Sequence, residues 1–234
     1  TCFLMRSVEL AEAFTSKSFG RNAVVTQKPP SSEVFKARHF GPTLFRTIYK
    51  TSTFPIAIDY SAAIGTRKIK WLVPMERLDS YKLLEVLFYG LRETEHPYST
   101  IVCEGIRQMV EAGGDRVAPL VPKIIQPIRE ALHTRNKIVI CNVLNLMQRM
   151  IVFGEHKVCE ALMEHYRKIL LIFNIFKNCK ENVENTSIRW KNNNIASLIS
   201  ETLQLMEIYG GPHANTKIKS MVPTYTCSPF HALV

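Results

Sequence analysis

The sequence lacks the short motifs that identify the common catalytic sites. It contains no G-x-S-x-G turn, no Walker phosphate loop, no H-E-x-x-H metal motif and no glycine-rich dinucleotide fingerprint. None of its six cysteines forms a C-x-x-C pair, the spacing typical of structural zinc sites. His156, Cys159 and His165 lie close together but have no second pair at ligand spacing, and surface histidines beside a core cysteine explain them without metal. We therefore expect a non-enzymatic protein without metal or cofactor.

The sequence also lacks an apolar run long enough to cross a membrane. Its longest run, residues 169–173, is far shorter than the roughly 20 residues that a spanning helix needs. Glu9 and Glu12 interrupt the region where a secretory signal keeps an unbroken apolar stretch. Because the cysteines show no disulfide pattern either, we expect a soluble intracellular protein with no membrane partner. The cysteines within apolar helical patterns, which we expect to be buried, are Cys103, Cys141 and Cys159.

Positive charge is concentrated at the front of the chain. The net charge is +10, and residues 1–77 hold 12 Lys and Arg against 5 Asp and Glu, whereas residues 78–234 hold 18 against 15. An acidic partner should therefore meet the front of the molecule. Nucleic acid is a weaker candidate, because a nucleic-acid-binding helical repeat should carry its charge on its concave helices rather than on a terminal arm.

The front segment differs from the rest in pattern as well. Residues 15–77 contain several prolines and scattered aromatics without a 3.6-residue period, so they should be extended and irregular. A small hairpin of 54–60 and 63–73 is one option within them. The predicted organisation is therefore a basic arm at 1–77, a helical body at 78–225 with a polar loop at 179–193, and a tail at 226–234.

Basic and aromatic residues alternate within the arm, at Phe35, Lys36, Arg38, Phe40, Phe45, Arg46, Tyr49 and Lys50. Such a pattern can bind nucleic acid through phosphate contacts and base stacking. It can equally bind an acidic protein surface, with aromatic anchors and steering cations. The third possibility is that the aromatic rings pack on the helical body.

From Leu78 onward the apolar residues recur at the spacing of an α-helix. The predicted helical segments cover 78–93, 99–114, 135–154, 155–178 and 194–211. Segment 135–154 has apolar residues on most of its helical faces and should be a central buried helix. Segment 155–178 is either one helix or two helices that meet near Tyr166.

Glycines recur at the ends of these segments. Gly113 and Gly154 are 41 positions apart, and Gly154 and Gly210 are 56 apart with the polar stretch 179–193 between them. A period near 40 residues with two helices per unit is typical of HEAT and armadillo arrays. We therefore predict an all-α fold, an armadillo/HEAT-like α-solenoid.

Three prolines stand within the apolar stretch 118–132. Pro119 suits the first turn of a helix, Pro122 can share that turn, and Pro127 should kink the helix that follows. The alternative is a P-x-x-P docking peptide. The isoleucines that surround these prolines favour the helix.

The polar loop at 179–193 is the other candidate for binding. Arg189, Trp190 and Lys191 could anchor a partner protein, because Trp and Arg are favoured at interface hot spots. Trp190 could equally pack on the last helix.

Several stretches together resemble the parkin co-regulated protein family, over about residues 35–225. They include FRTIYK (45–50), FPIAI (54–58), GTRKIKW (65–71), LVP (120–122), LISETL (198–203), YGG (209–211) and VPTY (222–225). The loop SIRWKNNN and the tail TCSPFHALV depart from the family pattern and suggest a divergent member or paralogue.

The resemblance implies a non-enzymatic structural microtubule-associated protein of ciliary and flagellar axonemes, in the cytoplasm and cytoskeleton. Family members sit at the inner junction between the A- and B-tubules of doublet microtubules. The implied partners are α/β-tubulin, a small β-sandwich inner-junction protein and other axonemal microtubule inner proteins. The implied tubulin contacts are Lys36, Arg38, Phe45, Arg46, Tyr49 and Lys50. The alternative function is a soluble helical-repeat adaptor for cargo or assembly during cilium or sperm-tail formation.

Overall fold

The computed structural model of the chain describes residues 33–51, 54–59, 68–179 and 194–226. The chain divides into two units between Phe35 and Lys36. In the first unit the described residues form a single 3-10 turn, Glu33–Phe35. The second unit carries the remaining described elements.

The second unit is mainly helical, as predicted. Its α-helices are α1 (Leu44–Thr51), α2 (Ser80–Tyr89), α3 (Tyr98–Gly113), α4 (Val121–His133), α5 (Lys137–Glu164), α6 (Tyr166–Phe176), α7 (Ile195–Tyr209) and α8 (Ala214–Met221). Short 3-10 turns lie between them at Met75–Arg77, Gly90–Arg92 and Gly114–Leu120.

A two-stranded hairpin precedes α2. Strands β1 (Ile56–Asp59) and β2 (Lys68–Trp71) are antiparallel, with Ile56 opposite Trp71. Two strands alone are marginally stable, but this pair packs on α3. Ile56 is buried there, and the Trp71 indole Nε1 donates a hydrogen bond to Gln108 Oε1 at 2.7 Å. The hairpin suggested by the sequence is present, and its packing on α3 stabilises the two strands.

The arm is not irregular throughout, which corrects the sequence-based expectation. Helix α1 forms within it, and the side chains of Phe45, Phe54 and Ile56 join the hydrophobic core. The compact body therefore begins at Lys36 rather than at Leu78. A helix of eight residues has too few turns for its apolar period to be recognised in the sequence. Its aromatic residues also fit the alternating basic and aromatic pattern of a binding segment.

The proline-rich stretch forms a helix rather than an exposed docking peptide. Helix α4 begins at Val121 with Pro122 in its first turn, and Ile124 and Ile128 are fully buried. Pro122 suits its position, because the N–H it lacks would have no partner in the first helical turn. Pro119 was expected in this first turn but instead lies inside the preceding 3-10 turn.

Three helix breaks repeat one backbone feature. The residues that follow Gly113, Gly154 and Gly210 all have positive φ, with values of 53° at Gly114, 48° at Glu155 and 80° at Gly211. The break at Glu155 divides α5 into two helical pieces, so the predicted end at Gly154 is confirmed. Gly154 is needed for a close approach, because a Cβ there would collide with Val158. Of the two options left open for segment 155–178, the structure shows separate helices, since α6 begins at Tyr166.

Helix α5 lies at the centre of the body, as predicted from its apolar girth. It packs against α3, α4, α7 and the 3-10 turn Gly114–Leu120, and the Leu144 side chain is fully buried. By length and composition α5 could also cross a membrane, but 67% of its most apolar window is buried inside this body. That burial is what the core helix of a folded domain shows.

We expect Leu144→Asp to prevent stable folding. The substitution would place a charged carboxylate among apolar side chains, at a cost of at least about 3 kcal/mol. The matched control is Leu171→Asp, because Leu171 is 47% exposed on α6. Thermal denaturation followed by circular dichroism should show a large loss of Tm for the first variant and little change for the second. Equal Tm values for Leu144→Asp and the parent protein would contradict the assigned core.

Candidate protein-binding surface

The aromatic residues of the predicted contact set face into the fold. Phe45 is fully buried, and its ring centroid lies 5.4 Å from that of Phe54 and 6.4 Å from that of Tyr98. The half-buried Tyr49 ring joins the same cluster, 5.6 Å from Tyr98 in an edge-on arrangement. Such edge-on pairs stabilise a core beyond simple burial. Phe45 is therefore a core residue in this structure, with no accessible face for a partner.

Arg46 is engaged inside the fold. Its Nη2 atom lies 2.8 Å from Glu93 Oε2 and 2.5 Å from Glu95 Oε2, and its guanidinium stands 4.6 Å above the Tyr98 ring. The carboxylate of Glu93 is buried and also accepts a hydrogen bond of 2.6 Å from the Thr43 hydroxyl. This network ties α1 to the turn after α2, so the charge of Arg46 is used to hold the arm on the body.

The remaining cations of the set are exposed. Lys36, Arg38 and Lys50 all have exposed side chains, on the segment that leads into α1 and on its last turn. The arm therefore turns Phe45 and Tyr49 inward and these three cations outward, while Phe35 and Phe40 are also exposed. This division could not be predicted from the alternating pattern alone.

Arg38 is fixed in place by the body. Its backbone N–H donates a hydrogen bond of 2.7 Å to the carbonyl oxygen of Thr134, in the turn between α4 and α5. A polar cleft of about 350 Å³ lies beside this segment. Its lining includes Arg38, Arg46, Arg92 and Glu95. The Arg92 guanidinium lies 5.2 Å from the ring of Phe40, which stands at the same cleft. The exposed cations thus stand on a backbone that is attached to the helical body.

A second, apolar cavity opens at another side of the body. It has a volume of about 430 Å³, and its lining includes Met75, Tyr81, Leu84, Met109 and Val117. Tyr81 closes one rim, where its hydroxyl donates a hydrogen bond of 3.3 Å to the carbonyl oxygen of Arg116. The lining could receive an apolar side chain of a partner.

The absence of enzymatic activity remains a prediction.

Of the residues considered for metal binding, His156 and Cys159 have other contacts. His156 Nδ1 lies 3.1 Å from the backbone oxygen of Tyr209, and the Cys159 thiol is buried. Among the described residues, no three His, Cys, Asp or Glu side chains are grouped closely enough to hold an ion. The predicted burial of Cys103, Cys141 and Cys159 is confirmed, and burial raises the pKa of each thiol to about 12. These thiols are protonated and unreactive at neutral pH.

The loop candidates Arg189, Trp190 and Lys191 lie outside the described residues, so their proposed role in binding stays a prediction. The residues at the two ends of that segment are described. Ala196 N donates a hydrogen bond of 3.2 Å to the Cys179 carbonyl oxygen, so the chain leaves and re-enters the body at one place.

These features define the class of protein: a mainly helical body with a basic N-terminal segment attached to it by ion pairs and aromatic packing. The sequence model of the Parkin co-regulated protein matches residues 43–227 of this chain. The Parkin coregulated gene protein homolog of Mus musculus is 42% identical over 218 residues, which cover 92% of this chain and 89% of the mouse protein. The chain belongs to the Parkin co-regulated protein family, as the sequence motifs predicted.

We expect Arg46→Met to destabilise the protein by about 2 kcal/mol, because it leaves the buried Glu93 carboxylate without its cation. The matched control is Lys50→Met on the same helix, where an exposed side chain should change stability by less than about 0.5 kcal/mol. Urea denaturation measures both free energies of unfolding. If Arg46→Met unfolds at the same urea concentration as the control, the ion pair does not hold the arm.

Proposed function

We propose that this protein is a non-enzymatic structural microtubule-associated protein of ciliary and flagellar axonemes. In this proposal it joins tubulin protofilaments at the inner junction between the A- and B-tubules of doublet microtubules. Membership of the Parkin co-regulated protein family supports the proposal. The observation that carries it is the set of exposed cations, Lys36, Arg38 and Lys50, on a segment anchored to a helical body.

The helical body suits a spacer in this role. We propose that its helices form an armadillo/HEAT-like stack, in which each unit contacts its neighbours and the whole keeps a fixed length. The recurring breaks support such a repeat, because Gly114 and Glu155 are 41 positions apart and share positive φ with strongly negative ψ. The two breaks also lie side by side, since a Cβ built on Gly154 would stand 3.4 Å from the Gly114 oxygen.

The proposed mechanism is electrostatic attachment on a rigid support. Tubulin is acidic, so the three exposed cations would face a surface of opposite charge. Single exposed ion pairs contribute at most about 1 kcal/mol each, but many copies along one filament convert weak contacts into avid binding. The other partners in the proposal are the small β-sandwich inner-junction protein and further axonemal microtubule inner proteins, with neither nucleic acid nor membrane involved.

The adaptor alternative draws on a different feature. The apolar cavity beside Tyr81 and Leu84 could receive an apolar side chain from a cargo protein. An adaptor of this kind would bind its partner without needing the cations of the arm.

Sedimentation with taxol-stabilised microtubules tests the proposal. The variant Lys36→Glu/Lys50→Glu should lower microtubule affinity about fivefold or more, because two attractive contacts become repulsive. The matched control is Lys168→Glu/Lys219→Glu, which changes net charge equally at exposed positions on α6 and α8. Deletion of residues 1–77 is unsuitable, because it would remove the core residues Phe45 and Ile56.

Binding of the parent protein should also weaken as salt rises, because the contacts are exposed and screened. If Lys36→Glu/Lys50→Glu binds microtubules as tightly as the parent and the control do, the arm is not the tubulin contact. If the parent protein does not sediment with microtubules, alone or with the β-sandwich partner, the adaptor function gains support instead.

A further inference from the structure

A concentration of positive charge lies where α4 ends. The Arg38 backbone is held against this turn by its hydrogen bond to the Thr134 carbonyl. Helix α4 contributes Arg129 and His133, and the turn itself contributes Arg135. Arg38, Arg129, His133 and Arg135 form the cationic corner. Arg129, His133 and Arg135 lie within one stretch of seven residues, and Arg38 joins them only in the folded body.

The histidine of the cationic corner is affected by the positive charges around it. Burial lowers the pKa of His133 below the ordinary value, and the charges of Arg129, Arg135 and Arg38 lower it further. All the charged groups that act on His133 in this way are cations. The neighbouring acid on α4, Glu130, instead lies 3.0 Å from Gln126 Nε2 and 3.9 Å from Arg92 Nη2. The fold therefore brings like charges together at this corner.

The backbone at the corner is also unusual. Arg135 has a φ of 55°, a region that glycine and asparagine occupy far more readily than arginine. Holding such a residue there costs on the order of 1 kcal/mol. This turn keeps Arg135 close enough to His133 for its charge to act on the ring.

The surface is accessible. Arg38 and Arg129 are exposed, and His133 and Arg135 are half-buried. Guanidinium groups bind carboxylates through paired hydrogen bonds that an ammonium group cannot form. A ligand with several carboxylates along a narrow chain could reach all three arginines.

We propose that the cationic corner binds an acidic peptide, a glutamate-rich segment of a partner protein. This inference rests on the proposed function in one respect. In that function the acidic peptide would be a segment of the acidic filament protein that the arm contacts.

A narrow peptide fits the corner better than a broad polyanion. The cleft that adjoins Arg38 also carries Glu93 and Glu95, and the Glu95 side chain is 68% exposed. A flat anionic membrane or a nucleic-acid backbone laid across this face would meet these carboxylates as well as the arginines. A single extended peptide can contact the arginines and avoid the carboxylates of Glu93 and Glu95.

Binding should change the titration of the histidine. Peptide carboxylates would oppose the charges of Arg38, Arg129 and Arg135, so the pKa of His133 should rise in the complex. Because the complex then takes up a proton, the peptide should bind more tightly at pH 6 than at pH 8.

The test uses the full chain and a fluorescein-labelled decaglutamate peptide, with affinity measured by fluorescence anisotropy. The variant Arg38→Gln/Arg129→Gln should bind the peptide about tenfold more weakly than the parent protein. The matched control is Arg77→Gln/Arg116→Gln, which removes the same charge from two other exposed positions and should change affinity less than about twofold. Circular dichroism checks that each variant is folded.

A second readout does not depend on net charge. The NMR titration of the His133 ring should show a higher pKa with decaglutamate than without it, and His133→Gln identifies the signal. Equal weakening in both arginine pairs, or an unchanged pKa in the complex, would overturn the assignment of the site. Tighter binding of a single-stranded DNA decamer or of phosphatidylserine vesicles than of the peptide would overturn the assignment of the ligand.

This assay contains no microtubules, so its outcome is separable from that of the proposed function. Decaglutamate binding at the corner by a protein that never sediments with microtubules would keep the site and refute the tubulin role. Sedimentation without decaglutamate binding would keep the tubulin role and refute the site.

Discussion

The packing around α5 is the constraint on which the rest of the structure depends. This helix is apolar on most sides, so α3, α4 and α7 must surround it. Its break at Glu155 is positioned by Gly154, whose missing Cβ allows the Val158 side chain to approach. Once the helices are stacked in this way, their turns lie at fixed places on the surface. The turn after α4 then receives the N-terminal segment at Thr134.

The arm contributes to stability and, in the proposed function, also to binding. Phe45 contributes to the core, and Arg46 neutralises the buried Glu93 carboxylate. These contacts orient the same stretch so that Lys36, Arg38 and Lys50 remain at the surface. A cation on an ordered backbone loses less entropy when it binds than one on a free chain. Anchoring the arm therefore favours the electrostatic attachment proposed for it.

The parts of the fold that could be predicted are those with a local and repeated signal. Helices α3 and α7 and the end of the first piece of α5 followed from apolar spacing and terminal glycines. Helix α1 did not, because eight residues carry too little periodicity. Which side chains of the arm face inward depends on Glu93 and Tyr98, which lie far along the chain. The cationic corner was missed for the same reason, since Arg38 and Arg129 meet only in the folded body.

The proposed function requires that the exposed cations of the anchored arm contact acidic tubulin. Zero-length carbodiimide cross-linking on assembled microtubules tests it most directly, because the reagent joins a lysine amine to a carboxylate only where the two touch. We expect mass spectrometry to find Lys36 and Lys50 joined to glutamates of tubulin. Cross-links confined to lysines of the helical body, such as Lys168 and Lys219, would contradict it.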